Sequence, residues 1–183
     1  GELRAEMPGD ALVPDSALGY TRGINIDAPP EIVWSWLVQI GHNRGGLYSY
    51  DWAENLVGCD LHSTNEIHQE WQRLRPNDLI RLGPEGYPTF CVVDVDPPHT
   101  LVLVSADPGT GSPSVGTPTV ATWQWSIQPR RPGTSRLLVR QRLTYPRGQT
   151  VLWRAVEPVT FAMERKMLRG IKQRSETSRP RCP

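Results

Sequence analysis

The sequence predicts one α+β domain in which a curved antiparallel sheet is closed by a single long C-terminal helix. Three observations carry this. Strand-like segments follow one another through residues 78–145 with only turn-rich stretches between them, and strands in series joined by turns pair antiparallel. Two segments alternate: Ala121, Trp123, Trp125 and Ile127 against Thr122, Gln124, Ser126 and Gln128, then Leu137, Val139, Gln141, Leu143 and Tyr145 against Arg136, Leu138, Arg140 and Arg142. This period of two gives a sheet with a covered Trp-bearing face and a wet Arg-bearing face. From Val151 to Arg174 the period becomes helical, with Leu152, Val156, Thr160, Met163, Met167 and Ile171 in one stripe.

The elements justify themselves in order. Residues 1–19 are polar, contain Pro8, Gly9 and Pro14, and are expected to form an irregular arm. Tyr20–Asp27 reads as a strand, with Ile24 and Ile26 on one face. Ala28-Pro29-Pro30-Glu31 is a helix start, because proline suits the first helical turn and an early carboxylate faces the helix dipole. Val33, Trp36, Leu37 and Ile40 continue it as one stripe until Gly41. Arg44-Gly45-Gly46 turns the chain. Leu47–Val57 is expected to be a second short helix, with Tyr48, Trp52 and Leu56 on one side and Gly58 as its stop. Residues 59–76 read as irregular. The strands Asp78–Leu82, Thr89–Val95, Leu101–Ser105, Val120–Gln128 and Ser135–Tyr145 follow, separated by clusters such as Gly83-Pro84-Glu85-Gly86. Residues 106–118, rich in Gly, Ser, Pro and Thr, are expected to form a mobile loop. Pro158 should kink the last helix or end a first piece of it. The expected organisation is an arm over 1–19, one domain over 20–176 and a tail over 177–183.

Composition narrows the function classes. The chain of 183 residues is 38% hydrophobic and 21% charged, which is the make-up of a packed domain. A net charge of +1 supplies no general attraction to nucleic acid or a membrane surface. Cys59, Cys91 and Cys182 are odd in number and form no Cys-x-x-Cys, so neither a disulfide framework nor a zinc ribbon is indicated, and a reducing cytoplasm is the expected location. No apolar run reaches the roughly 18 residues of a membrane span. The chain begins with Gly rather than Met, as a processed or trimmed chain does. No phosphate loop, dinucleotide fingerprint or Gly-x-Ser-x-Gly elbow occurs.

Two stretches, Ile24-Asn25-Ile26-Asp27-Ala28-Pro29-Pro30-Glu31-Ile32-Val33-Trp34 and Glu164-Arg165-Lys166-Met167-Leu168-Arg169-Gly170-Ile171-Lys172, resemble the opening and the closing helix of the helix-grip superfamily. That superfamily includes START lipid-binding domains, birch-pollen-allergen-like proteins and aromatic polyketide cyclases. Trp36-Leu37-Val38-Gln39-Ile40-Gly41, Gly45-Gly46-Leu47-Tyr48-Ser49-Tyr50-Asp51-Trp52 and Ile67-His68-Gln69-Glu70-Trp71-Gln72 are similar to a mainly actinobacterial subgroup labelled SRPBCC. The resemblance spans residues 8–176 and implies a ligand cavity between sheet and long helix, with no built-in cofactor. It carries over no catalytic motif, because the fold hosts carriers, cyclases and receptors alike.

The residues themselves leave alternatives open. Tyr48, Tyr50 and Trp52 are amphipathic rings that line a cavity or pack a short helix, and Asp51 between them is a proton carrier or a cap. Asp60, His62, Glu66 and His68 have metal-type side chains but no zinc spacing, so no metal is expected; a His62–Glu66 acid/base pair stands against a polar surface loop. Gln141 interrupts an apolar face and, if buried, needs a partner, from a ligand or from the protein. Trp123, Trp125, Met163 and Met167 form core or cavity wall. The basic run Arg165, Lys166, Arg169, Lys172 and Arg174 reads as a solvated helix face. The expected function is binding of a lipid- or polyketide-like molecule through Tyr48, Trp52, Trp123, Trp125, Gln141, Met163 and Met167. The alternatives are a cofactor-free cyclase or dehydratase using Tyr50, Asp51, His62 or Glu66, and a protein-interaction module using the arm or loop 106–118.

Overall fold

Six strands, β1 (Leu18–Ile26), β2 (Leu79–Arg81), β3 (Thr89–Asp96), β4 (Thr100–Ala106), β5 (Val120–Pro129) and β6 (Ser135–Thr144), form one antiparallel sheet in the order β1-β6-β5-β4-β3-β2. The structure is a computed structural model that describes residues 6–146, 148 and 150–178, with backbone only at 150–154 and 156. Among the described residues three α-helices accompany the sheet: α1 (Pro30–Leu37), α2 (Asp51–Leu56) and α3 (Thr150–Thr177). The antiparallel sheet and long last helix are those expected. Leu152 and Val156 of the expected stripe have no described side chain, and Cys182 lies outside the described residues.

The inner face of the sheet is built by the alternation in β4, β5 and β6. Trp123 stands opposite Gln141 on one side and Leu103 on the other, and Trp125 opposite Val139 and Leu101. Trp125, Ile127, Leu137, Val139, Leu101 and Leu103 are all sealed from solvent. The two Trp rings stack at 5.2 Å, and Phe90 joins Trp123 at 5.6 Å, within the range of favourable ring contacts. α1 packs on β5 and β6 through Val33, Trp36 and Leu37, while α3 packs on β1 and on α1. Among the described side chains of α3, Glu164, Met167, Leu168, Ile171 and Ser175 form a buried helical stripe. Met163 and Leu143, expected inside, are only half-buried: Met163 precedes this stripe, and burial along β6 falls off from Gln141 onward although the strand stays paired on both sides.

The outer face departs from expectation. The Arg-bearing side of β5 and β6 is not wet: Arg140 is buried, and Arg136 and Arg142 are half-buried. The N-terminal arm lies across it. Residues Pro8–Leu12 form a 3-10 helix over β4 and β5, and Val13 joins Cys91, Val104, Ala106 and Val120 in a second apolar cluster. Gly9 donates its N–H to Gln124 Oε1 at 3.0 Å, and a Cβ there would sit 2.6 Å from Val102, so glycine is what lets the arm approach. Asp10 receives Arg140 at 2.5 Å and Gln124 at 3.1 Å. The polar groups of this face are met by protein rather than by water: Asp10, Pro14 and Ser16 of the arm take Arg140 and Arg142, and Thr21 and Asn25 of β1 take Arg140 and Arg136.

Two other boundaries differ for local reasons. The second helix begins at Asp51 rather than Leu47 because Tyr48 adopts a positive φ of 54°, which no helix accommodates. α3 runs on through Pro158 without ending there. Gly170 of α3 faces Tyr48 so closely that a Cβ would overlap the Tyr48 carbonyl. Gly170→Ala is therefore expected to destabilise by about 2 kcal/mol, as overpacking does, rather than to stabilise as Gly-to-Ala changes in exposed helix interiors do; urea unfolding of the variant measures the sign.

Candidate functional site

The segment from Gln39 to Gln72 fixes the site. Gln39, fully buried, donates from Nε2 to Tyr48 Oη at 2.9 Å and to the Glu66 carbonyl at 3.0 Å, and its Oε1 receives the His68 N–H at 3.2 Å. Tyr48 in turn donates its hydroxyl proton to the Trp36 carbonyl at 3.2 Å. Burial, partly offset by Gln39 and by Arg174 and Arg44, pushes the Tyr48 hydroxyl up to about 12. Tyr48 is thus a structural post between α1 and the irregular segment. Asp51, first residue of α2, accepts both the Ser63 N–H and the Ser63 hydroxyl at 2.7 Å. Asn55 brackets Leu61, receiving its N–H at 2.6 Å and donating to its carbonyl at 2.9 Å. Together these bonds clamp the short helix α2 to residues 59–63.

Clamped there, α2 faces the first half of α3 across an apolar cleft of about 490 Å³. Tyr50, Trp52, Ala53, Glu54, Val57 and Cys59 line one side, with Pro158, Val159, Ala162 and Met163 on the other. Its mouth is apolar too: Trp52 is 70% exposed, Val57 68% and Val159 57%. These large apolar side chains are grouped around one concavity rather than scattered over the surface.

Glu54 is the polar exception. It is 2% exposed, and neither carboxyl oxygen has a hydrogen-bond partner. Ser49, whose hydroxyl pulls the Glu54 carboxyl toward ionisation, donates its proton to the Met163 carbonyl at 3.1 Å. Burial first, and the charge of Asp51 second, push the Glu54 carboxyl up to about 7. Burial and then the neighbouring Glu54 push the Cys59 thiol up as well. An unpaired acid poised near neutrality in an apolar cleft is able to give or take a proton, or to meet a ligand's polar end.

The residues expected from the sequence fall at different places. Tyr50, Trp52 and Met163 line the cleft. Asp51 is bound to Ser63 as described and lines the neighbouring polar hollow, along with Lys166 and Arg174. His62 is 82% exposed at its side chain and pairs with Asp60 at 3.2 Å, while Glu66 is exposed on the loop; the two are not joined, and neither lines the cleft. His68 sits near Glu70 at 3.6 Å instead. Gln141 finds protein partners: it accepts the Tyr20 hydroxyl at 2.7 Å and donates to Glu164 at 3.2 Å, and Glu164 also pairs with Arg22. Met167, Trp123 and Trp125 are buried in the main core, and both indole N–H groups there lack a partner. None of these three, nor Gln141, lines the cleft, which lies between α2 and α3 rather than over the Trp-bearing strands. Glu54 does not stand out in the sequence, where Tyr50, Asp51 and Trp52 beside it form the conspicuous cluster. The available signal was its place one turn after Tyr50, on the side of α2 that Trp52 and Leu56 do not occupy.

No family model and no curated protein matches the sequence. Solved structures do. A protein from Nitrosomonas europaea shares 17% identity at a TM-score of 0.54, covering 94% of this chain and 100% of its own. A protein from Mesorhizobium loti shares 14% at 0.52, covering 89% and 100%. Ara h 8.0201 shares 12% at 0.53, covering 88% and 99%. At such identities the likeness speaks for architecture. By fold the chain is a helix-grip protein, an antiparallel sheet of six strands gripped to a long C-terminal helix.

Proposed function

We propose that this protein binds an apolar small molecule, lipid- or polyketide-like, in the cleft between α2 and α3. The observation that carries the reading is the cleft itself: some 490 Å³ lined almost wholly by apolar side chains, with Trp52, Val57 and Val159 left open at its mouth. Burying a few hundred Å² of ligand supplies several kcal/mol at about 25 cal/mol/Å², which after the costs of association leaves roughly micromolar affinity. A fluorescent naphthalene probe is expected to bind in that range and to quench Trp52. Ala162→Trp, on the α3 side of the cleft, should weaken it about tenfold by filling the space, with the unfolding midpoint unchanged. A protein that takes up no probe would refute the reading and favour a protein-interaction surface at the same apolar mouth.

Glu54 favours a second reading, a cofactor-free cyclase or dehydratase acting on a polyketide-like substrate. There the cleft holds the chain in a reactive shape and the carboxyl moves the proton. This is tested by dehydration of a β-hydroxyketone: turnover must follow a pH profile that breaks near 7 and vanishes in Glu54→Gln.

A further inference from the structure

The cleft reading leaves the polar end of its occupant open, and the surroundings of Glu54 narrow it. We propose that the cleft selects apolar molecules bearing a protonated amine, with Glu54 as the counter-ion. This rests on the cleft reading and adds the ligand's class.

The carboxyl oxygens of Glu54 have no hydrogen-bond partner, and no cation among the described residues pairs with it. Buried carboxyl groups are ordinarily bonded or paired, so the vacancy marks a position for a donor from outside. The Ser49 hydroxyl beside it is engaged with the Met163 carbonyl at 3.1 Å, so the carboxyl keeps acceptor capacity for a ligand's donor. The charged groups around it are one-sided. From α2 itself comes Asp51, whose charge acts on Glu54; beyond α2 comes the Cys59 thiol; from α3 come Pro158, Val159, Ala162 and Met163, none of them ionisable. Among the described side chains of α3, the cations Lys166 and Arg174 line the hollow beside Tyr50. Lys166 stands over the Tyr50 ring at 5.8 Å, and Arg174 is engaged with the Tyr48 ring at 4.5 Å and the Thr64 carbonyl at 2.8 Å. Both line the polar hollow and not the apolar cleft.

A site with this field treats three kinds of polar end differently. A carboxylate meets Glu54 and Asp51 and is repelled. A hydroxyl gains one neutral hydrogen bond. An ammonium gains a charge-assisted bond, roughly twice as strong, and restores the carboxylate to its ionised form. The open rings of Tyr50 and Trp52 at the mouth add faces that favour a cation over a neutral group. The pH dependence has a definite sign. Below about 7 the Glu54 carboxyl carries a proton that must leave before an ion pair forms, so amine affinity falls as pH falls through that value.

The test is a calorimetric comparison of naphthylmethylamine, naphthylmethanol and naphthoate on the whole chain. The amine is expected to bind about tenfold tighter than the alcohol above pH 7, with naphthoate weakest. Its affinity should fall on acidification while the alcohol's stays level. Glu54→Gln should erase both the amine's advantage and its pH dependence; Glu54→Met, of similar volume and without a polar group, should do the same. An amine that binds no tighter than the alcohol, or an advantage that survives both variants, overturns the proposal and leaves the cleft reading standing. Failure of all three compounds to bind overturns both. Should either variant fail to fold, the amine-to-alcohol ratio and pH profile of the unaltered protein decide alone.

Discussion

Asp10→Ala is expected to cost about 3 kcal/mol of folding stability, an effect far larger than removal of a surface charge. Asp10 lies in the arm, yet it is the point where the arm is fastened. Its carboxylate takes the Met7 N–H at 3.0 Å, the Gln124 amide at 3.1 Å and Arg140 at 2.5 Å, with Arg142 at 3.5 Å beside it. The Arg140 side chain is only 8% exposed. Removing Asp10 takes the carboxylate away from a buried guanidinium that also donates to Thr21 Oγ1 at 2.8 Å, and taking one partner from a buried pair is the costly way to break it. The same bonds set the acid response. Burial would raise the Asp10 carboxyl, but the Met7 N–H, Gln124 and Arg140 outweigh it and hold it below 3.8. A carboxyl depressed in the folded state stabilises above its unfolded value and loses that contribution as pH falls through the folded one. The arm is therefore expected to loosen below about pH 3.8, and Asp10→Asn to share the loss at neutral pH while keeping part of the hydrogen bonding. Urea unfolding at neutral pH is the measurement. A loss under about 1 kcal/mol would place the arm as an ornament on a sheet that is stable without it.

The fold was legible because its signals are periodic. The alternation of Trp123 and Trp125 with Thr122 and Gln124 fixes a strand and its inner face in one step, since a shift of one residue would bury the wrong set. What the sequence does not carry is which partner satisfies a polar row. Arg136, Arg140 and Arg142 alternate just as solvated residues would, and only three dimensions show that Asp10, Pro14 and Ser16 meet the last two. Glycines give a hint of such contacts: Gly9 and Gly170 stand where another part of the chain comes too close for a side chain. The site was legible in part. Tyr50 and Trp52 belong to the cleft because they sit on α2, but its far wall is set by where α3 passes, and that depends on the clamp of Asp51 to Ser63 and of Asn55 to Leu61. Asp51 drew interest as a carboxylate among rings; its bonds make it the residue that aims the cleft. Glu54, three positions on, carried no motif and is marked only by what surrounds it.

That marking has a cost in stability, and the cost is the second large expectation. Glu54→Met should make the protein more stable at pH values above 7, by about 3 kcal/mol more than the same change does below pH 4.5. The carboxyl moves from 4.5 in the unfolded chain to about 7 in the folded one. Between those values the folded protein holds a proton that the unfolded chain has released, so the unaltered protein loses stability as pH rises across the interval and is level outside it. Methionine fills a similar volume with no ionisable group and removes that slope, while its apolar body suits a cleft lined by Val57, Ala162 and Met163. Unfolding free energies from urea titrations at pH 4.5, 6 and above 7 should therefore diverge steadily between the two proteins. Parallel curves would mean that the Glu54 carboxyl titrates alike in the folded and unfolded protein, and would remove the physical basis for both the proton-transfer and the amine readings. Diverging curves, joined to a loss of ligand selectivity in the stabler variant, would identify Glu54 as a residue kept for what it binds rather than for what it holds together.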